Sequence, residues 1–196
     1  MLDVGAHVGN FTTEFVAAFP DCTPTLIEPN PFCMAALSNL PFECFSVAAS
    51  DQEGTAELFL TREWLQSTGS SLYRENTNYF RDDVVFKQIV RKSRIDDILS
   101  NRRFDFVKID TQGSELDVLR GGQNVLSRSD FILLEISLVE YNIGGARAED
   151  VFEQLEKMNF RCVGVTEFHR LATVLNGGLL QLDFLFKRIT EPLWKK

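Results

Sequence analysis

The chain has 196 residues, a length that fits one domain with a sizeable core. Its 20 basic and 28 acidic side chains leave a net charge of -8, which argues against nucleic acid or an anionic membrane as the main partner. Hydrophobic residues at 44% and charged residues at 24% are those of an ordinary soluble protein, and no apolar run approaches the roughly 18 residues of a membrane span.

Strand-like and helix-like segments alternate, the pattern of an α/β domain with a mostly parallel sheet. Met1–Val4 reads as a short first strand, and no leader segment is expected ahead of it. Asn10–Phe19 carries Phe11, Phe15, Ala18 and Phe19 at helical spacing. "TPTLIE" is a second strand ending at Glu28, and Pro31 suits the first turn of a helix in "NPFCMAALSNL". "FECFSVAAS" is strand three and "TAELFL" a β extension. Residues 61–83 are polar, with Gly and Ser, and read as an insertion or lid within a single domain 1–196. "VVFKQIV" is a strand, followed by a short helix in "SRIDDILSN" with Ser93 as its cap.

"FDFVKID" is a buried strand, and "SELDVLRGG" a helix with Ser114 as N-cap and glycines at its stop. "DFILLEIS" is the next buried strand. Residues 147–158 form an amphipathic helix through Ala148, Val151, Phe152, Leu155 and Met158. "FRCVGVT" and "LLQLDFLFKR" close the domain as a strand pair at an antiparallel edge. Near-continuous apolar strands require cover on both faces, as in doubly wound sheets. Four cysteines, Cys22, Cys33, Cys44 and Cys162, form no C-x-x-C pair. They read as reduced thiols of a reducing compartment, the cytoplasm.

The first strand–helix turn, where open α/β sheets bind ligands, is Gly5-Ala6-His7-Val8-Gly9. Gly5 permits a tight turn with close backbone approach, and Gly9 lets the helix pack near the strand. The pattern is G-x-x-x-G; His7 holds the place of the middle glycine that a pyrophosphate needs. Asp3, just before the turn, repels a pyrophosphate and attracts a cation such as an amino-acid ammonium. Glu28, at the end of strand two, can accept both hydroxyls of a ribose. A ligand with a ribose, a positive charge and no phosphate fits S-adenosylmethionine. The same residues also read as a plain glycine turn with Asp3 as a solvated or capping acid.

"LDVGAHVGNF", "IEPNP", "VAASDQEGTAELFL", "GSSLY", "FVKIDTQGSELDVLRGG" and "LLEIS" occur in this order. Together they resemble the FkbM-type methyltransferases over residues 1 to about 187. The resemblance implies a class I, Rossmann-like methyltransferase fold: a mostly parallel seven-stranded sheet with helices on both faces. It implies methyl transfer from S-adenosyl-L-methionine to a hydroxyl of a sugar, glycan or small natural product. By the same resemblance Asp3, Gly5, His7 and Gly9 belong to the cofactor turn, and Glu28 is the ribose acid. Ser50 and Asp51 follow strand three, where class I enzymes contact the adenine. Ser70 and Ser71 lie in "GSSLY", near the active site. The family's members usually carry residues ahead of the first motif, and here strand one is short.

Phe104, Phe106, Lys108 and Asp110 share one strand face by period two. A lysine in an apolar strand needs a partner, and Asp110 is two residues on. Glu135 lies in another apolar strand. If the two strands are neighbours, all three groups meet beside the cofactor. Asp110 is the first choice of base and Glu135 the second, with Lys108 orienting Asp110 or holding the acceptor oxygen. The alternative is an internal ion pair with one hydrogen-bonded acid. Glu115 either favours a helix N-terminus or serves substrate or catalysis. His169 reads as a surface residue, and Trp64, Tyr73, Tyr79 and Phe80 either wall a substrate or anchor the insertion. No residue is assigned to a metal, although acidic oxygens leave Mg²⁺ open. The expected partner is a small hydroxylated acceptor. The competing readings are a non-catalytic module on a degraded methyltransferase fold and a nicotinamide-dependent oxidoreductase.

Overall fold

The computed structural model describes residues 1–78, 80–170 and 178–190. The chain runs β1 (Leu2–Val4), α1 (Asn10–Ala18), β2 (Thr25–Ile27), α2 (Met34–Leu37), β3 (Glu43–Phe45), β4 (Ala48–Ala49), β5 (Gly54–Thr61) and β6 (Val85–Ser93). It continues α3 (Ile95–Ile98), β7 (Phe106–Ile109), α4 (Glu115–Gly121), α5 (Gln123–Leu126), β8 (Phe131–Ser137), α6 (Ala148–Lys157), β9 (Phe160–Arg170) and β10 (Leu179–Arg188).

Seven strands form the central sheet in the order β3-β2-β1-β7-β8-β10-β9. The pairs from β3 to β8 are parallel. Strand β10 is antiparallel to both β8 and β9, which makes the sheet mostly parallel. The winding reverses between β1 and β7, so a crevice opens beyond the carboxyl ends of these strands.

Strand alternation divides β7 between two layers. Val107 and Ile109 are fully buried in the main core, with Leu2 and Val4 of β1, Leu134 of β8 and Leu119, Val125 and Leu155 of the covering helices. Phe106 faces the other way and packs on Phe15 and Phe11 of α1, at centroid distances of 4.8 and 6.5 Å. Lys108 and Asp110 continue that second face. Among the described residues no helix is long and apolar enough to cross a membrane.

Two expectations are corrected. "FECFSVAAS" is two strands: β3 pairs with β2, while β4 pairs with β6 in a separate sheet of order β4-β6-β5. The chain changes direction where Val47 N–H bonds back to the Phe45 carbonyl at 3.0 Å. Ser93 ends β6 and donates to Glu53 instead of capping α3. Ser114 stands at the N-cap of α4 without a capping side-chain bond. The buried Asp96 does more: its carboxylate accepts the N–H groups of Asn124 and Val125, at 3.0 and 2.9 Å, at the start of α5. Asp96→Ala is therefore expected to cost about 2 kcal/mol, read as a lower urea midpoint with an unchanged slope.

The 61–83 insertion is irregular and tied down. Phe80 is buried, and Tyr73 donates to Asp117 of α4 at 2.8 Å, so both anchor the segment. Trp64 is exposed. Tyr79 lies outside the described residues.

Candidate active site

The β1–α1 turn owes its path to one close approach. Gly5 has φ +81°, and a Cβ there would stand 1.8 Å from the Asp110 carbonyl oxygen. The N–H groups of Gly5 and Ala6 both donate to the Ile27 carbonyl, at 2.9 and 3.1 Å. His7 is left-handed at φ 54°. Gly9, at φ +86°, serves packing: a Cβ there would stand 2.4 Å from a Leu40 methyl.

Glu28 follows β2 and is buried. Its carboxylate accepts the N–H of His7 at 2.8 Å and that of Asn30 at 2.7 Å. A carboxylate has about four acceptor positions, so positions remain for two further hydroxyls. Burial pushes its pKa up to about 7, against the pull of the two N–H bonds.

Gly5, His7 and Glu28 line one cavity at the switch point, together with Asn10, Lys108 and Asp110. Ala48, Ala49, Leu58 and Leu72 form an apolar wall. The insertion supplies the roof through Ser67, Ser70 and Ser71. It is latched to the turn: His7 Nε2 donates to the Gln66 carbonyl at 2.5 Å, and Asn30 Nδ2 to the Leu65 carbonyl at 2.8 Å.

Three residues expected to contact the ligand, Asp3, Ser50 and Asp51, are not among those that line this cavity. Asp3 is fully buried beneath the turn and is not in the cavity wall. Its carboxylate accepts from Thr12 Oγ1 at 2.5 Å and stands 3.9 Å from Lys108 Nζ. Burial raises its pKa. Strand β1 alternates, so Asp3 shares the α1 face of the sheet with Lys108 and lies below the turn that carries the cavity. Ser50 and Asp51 also lie outside the wall, because the short β4 puts Ala48 and Ala49 there first. A Cβ at Gly121 of α4 would stand 1.8 Å from the Ser50 carbonyl, so this segment is packed on a helix.

Lys108 and Asp110 do meet. Their charged atoms are 3.0 Å apart, and Lys108 also lies over the Phe11 ring at 5.2 Å. Burial opposes the Lys108 ammonium, but Asp110 and Asp3 outweigh it and raise its pKa. Burial likewise works to raise Asp110, and Lys108 with Gln112 holds it below the usual carboxylate range. Asp110 is thus ionised at the cavity edge.

Glu135 is in the neighbouring strand but not in the cavity wall. Gln112 joins the two acids: its Nε2 donates to Asp110 at 2.8 Å and to Glu135 at 2.5 Å. Burial, then the charges of Asp110 and Asp183, pushes Glu135 up to about 9. The two acids are therefore held in opposite protonation states at neutral pH. Glu115 does not reach them. Its buried carboxylate accepts N–H groups of Thr111 and Gly113, at 3.2 and 2.9 Å, and holds the 110–114 loop.

His169 was expected to be partnerless on the surface; instead its Nε2 stands 3.6 Å from both Glu135 and Asp183. Gln112, Gln181 and Asp183 were not singled out from the sequence. Gln181 and Asp183 interrupt an apolar strand at period two, the signal that marked Lys108. Gln112 lies in a polar loop and carries no such signal.

Residues 3–162 match the Methyltransferase FkbM domain family. The chain is 28% identical over 155 residues to the 2-O-methyltransferase NoeI of Sinorhizobium fredii, a match covering 70% of this chain and 63% of that protein. It thus spans less than two thirds of this curated relative. Magnesium protoporphyrin IX methyltransferase from Synechocystis, solved with bound SAM, aligns at a TM-score of 0.50 and 9% identity, over 96% of this chain and 69% of that one. Precorrin-6y C5,15-methyltransferase from Geobacter metallireducens aligns at 0.51 and 12% identity, over 96% and 78%. At such identities the likeness is one of fold.

Proposed function

We propose, from the premise that the chain belongs to the FkbM methyltransferase family, that it methylates a hydroxyl of a sugar, glycan or small natural product. Membership supports methyl transfer dependent on S-adenosylmethionine over the nicotinamide reading. The named relative transfers to an oxygen, which supports O-methylation here. The observation that carries the proposal is a single cavity lined by both Glu28 and Asp110 at the switch point.

The wall fits the cofactor without a phosphate site. Glu28 offers acceptors for the two ribose hydroxyls. The apolar wall of Ala48, Ala49, Leu58 and Leu72 suits a purine. When bound, the cofactor supplies an electrophilic methyl on a sulfonium that leaves as a neutral thioether. Asp110 accepts a hydrogen bond from the acceptor hydroxyl and aligns its lone pair with the methyl. With the cofactor bound, transfer of its methyl to the hydroxyl oxygen would release the hydroxyl proton, and Asp110 would take it. A protonated ether is a far stronger acid than an alcohol, so a carboxylate of low pKa suffices to take it. Lys108 holds Asp110 ionised and in place.

Transfer of labelled methyl from S-adenosylmethionine to a panel of sugars and polyhydroxylated natural products tests this function. The expected result is label in an acid-stable methyl ether. Transfer only to nitrogen or carbon acceptors would overturn it.

Glu28 adds a pH dependence. Its folded pKa of about 7 means that the acid is protonated below that pH and then offers one acceptor position too few. Affinity for S-adenosylhomocysteine is expected to fall about tenfold per pH unit below 7 and to be flat above it. Calorimetric titration between pH 5.5 and 8.5 reads the profile, and Glu28→Gln is expected to flatten it.

A further inference from the structure

We propose that Glu135, His169 and Asp183 form a divalent-metal site at the β8–β10–β9 edge, one side chain away from Asp110. The register brings them together. Asp183 lies directly opposite Glu135 on β8 and opposite Glu167 on β9. His169 is two residues beyond Glu167, on the same face.

One ligand atom from each of the three residues lies within 4.8 Å of the others. His169 Nε2 is 3.6 Å from Glu135 Oε1 and 3.6 Å from Asp183 Oδ1. A cation with bonds of about 2.1 Å sets neighbouring ligand atoms roughly 3.0–3.4 Å apart. The two spacings from His169 close to that range with shifts of a few tenths of an ångström. These distances are too long for hydrogen bonds, and among the described residues the buried atoms His169 Nε2 and Asp183 Oδ1 have no hydrogen-bond partner.

Two further features point to a cation. Glu135 and Asp183 stand directly opposite on neighbouring strands, where both can ionise only beside a cation, and Lys108 is already bound to Asp110. Glu135 is also oriented from behind. Its Oε2 accepts from Gln112 at 2.5 Å and from Gln181 at 2.9 Å, which leaves Oε1 facing His169. Metal-ligating side chains are held by outer partners in this way.

One imidazole and two carboxylates form a mixed N/O set that suits Mn²⁺, Fe²⁺ or Zn²⁺ better than Mg²⁺. The side chains of Glu135, Asp183 and His169 are 12%, 20% and 36% exposed, so an ion can enter and keep open positions. An acceptor hydroxyl on such a position would lose its proton more readily. That consequence rests on the methyl-transfer reading; metal binding itself does not.

The test is Mn²⁺ titration of the whole chain, without cofactor, followed by electron paramagnetic resonance. The expected result is one Mn²⁺ per chain with ¹⁴N coupling from a single imidazole. His169→Ala and Asp183→Asn are each expected to weaken binding at least about tenfold while melting as folded proteins. Absence of stoichiometric binding, absence of ¹⁴N coupling in the unmodified protein, or unchanged affinity in both variants would overturn the site. The ¹⁴N signal needs no variant, so misfolding of either leaves the question decidable. Failure of this titration leaves labelled-methyl transfer untouched, and the reverse holds too.

Discussion

Gly5→Ala is expected to abolish S-adenosylhomocysteine binding and to lower folding stability by more than about 3 kcal/mol. Two costs combine. A Cβ at φ +81° is strained by about 1–2 kcal/mol. The larger cost is steric. The added carbon would stand 1.8 Å from the Asp110 carbonyl oxygen, a backbone atom at the end of the central strand β7. That atom cannot swing aside as a side chain does. Relief requires β1 and β7 to part, which breaks the pairing of Val4 with Ile109 and moves Asp110. Gly144 is the internal control. Its φ is +73°, but nothing lies within 4 Å of a Cβ there. Gly144→Ala is expected to cost only the strain, about 1 kcal/mol, and to leave binding unchanged. Urea denaturation and calorimetry of the two variants separate steric from conformational cost.

Asp110→Asn is expected to lower kcat by about 10²–10⁴-fold while cofactor affinity changes by no more than a few fold. The amide keeps the shape of the acid and its place beside Lys108 and Gln112. It cannot take the proton released as the ether forms. Loss of the charge also leaves Lys108 with Asp3 at 3.9 Å as its remaining carboxylate, so a lower melting temperature is expected with folding retained. Single-turnover transfer of labelled methyl, beside a binding titration, reads the two effects apart. An unchanged kcat would remove Asp110 from the proton path.

The fold was legible because its strands and turns carry strong local signals. The apolar strands, the glycine turn and the acid at Glu28 identify a doubly wound sheet and its switch point without any long-range information. The Lys108–Asp110 pair was legible too, because a charge in an apolar strand must find its partner nearby. What the sequence could not supply was depth and strand register. Asp3 and Glu28 look alike as acids at strand ends, yet one is sealed below the turn and the other faces the cavity. Ser50 and Asp51 follow a second strand, and nothing local reveals that the chain leaves one sheet after Phe45 and joins another at Ala48. His169 reads as a surface residue because its neighbours, Glu135 and Asp183, come from strands distant in sequence. Glu115 carried two readings that only its hydrogen bonds to the 110–114 loop separate.

On the proposed function, one cavity holds the cofactor on Glu28 and presents its methyl to Asp110. A crystal structure of the chain with S-adenosylhomocysteine tests it most directly. Both ribose hydroxyls are expected within hydrogen-bond reach of the Glu28 carboxylate, the purine against Ala48, Ala49 and Leu58, and the sulfur facing Asp110. A nucleoside seated away from Glu28, or a sulfur turned from Asp110 toward solvent, would contradict it.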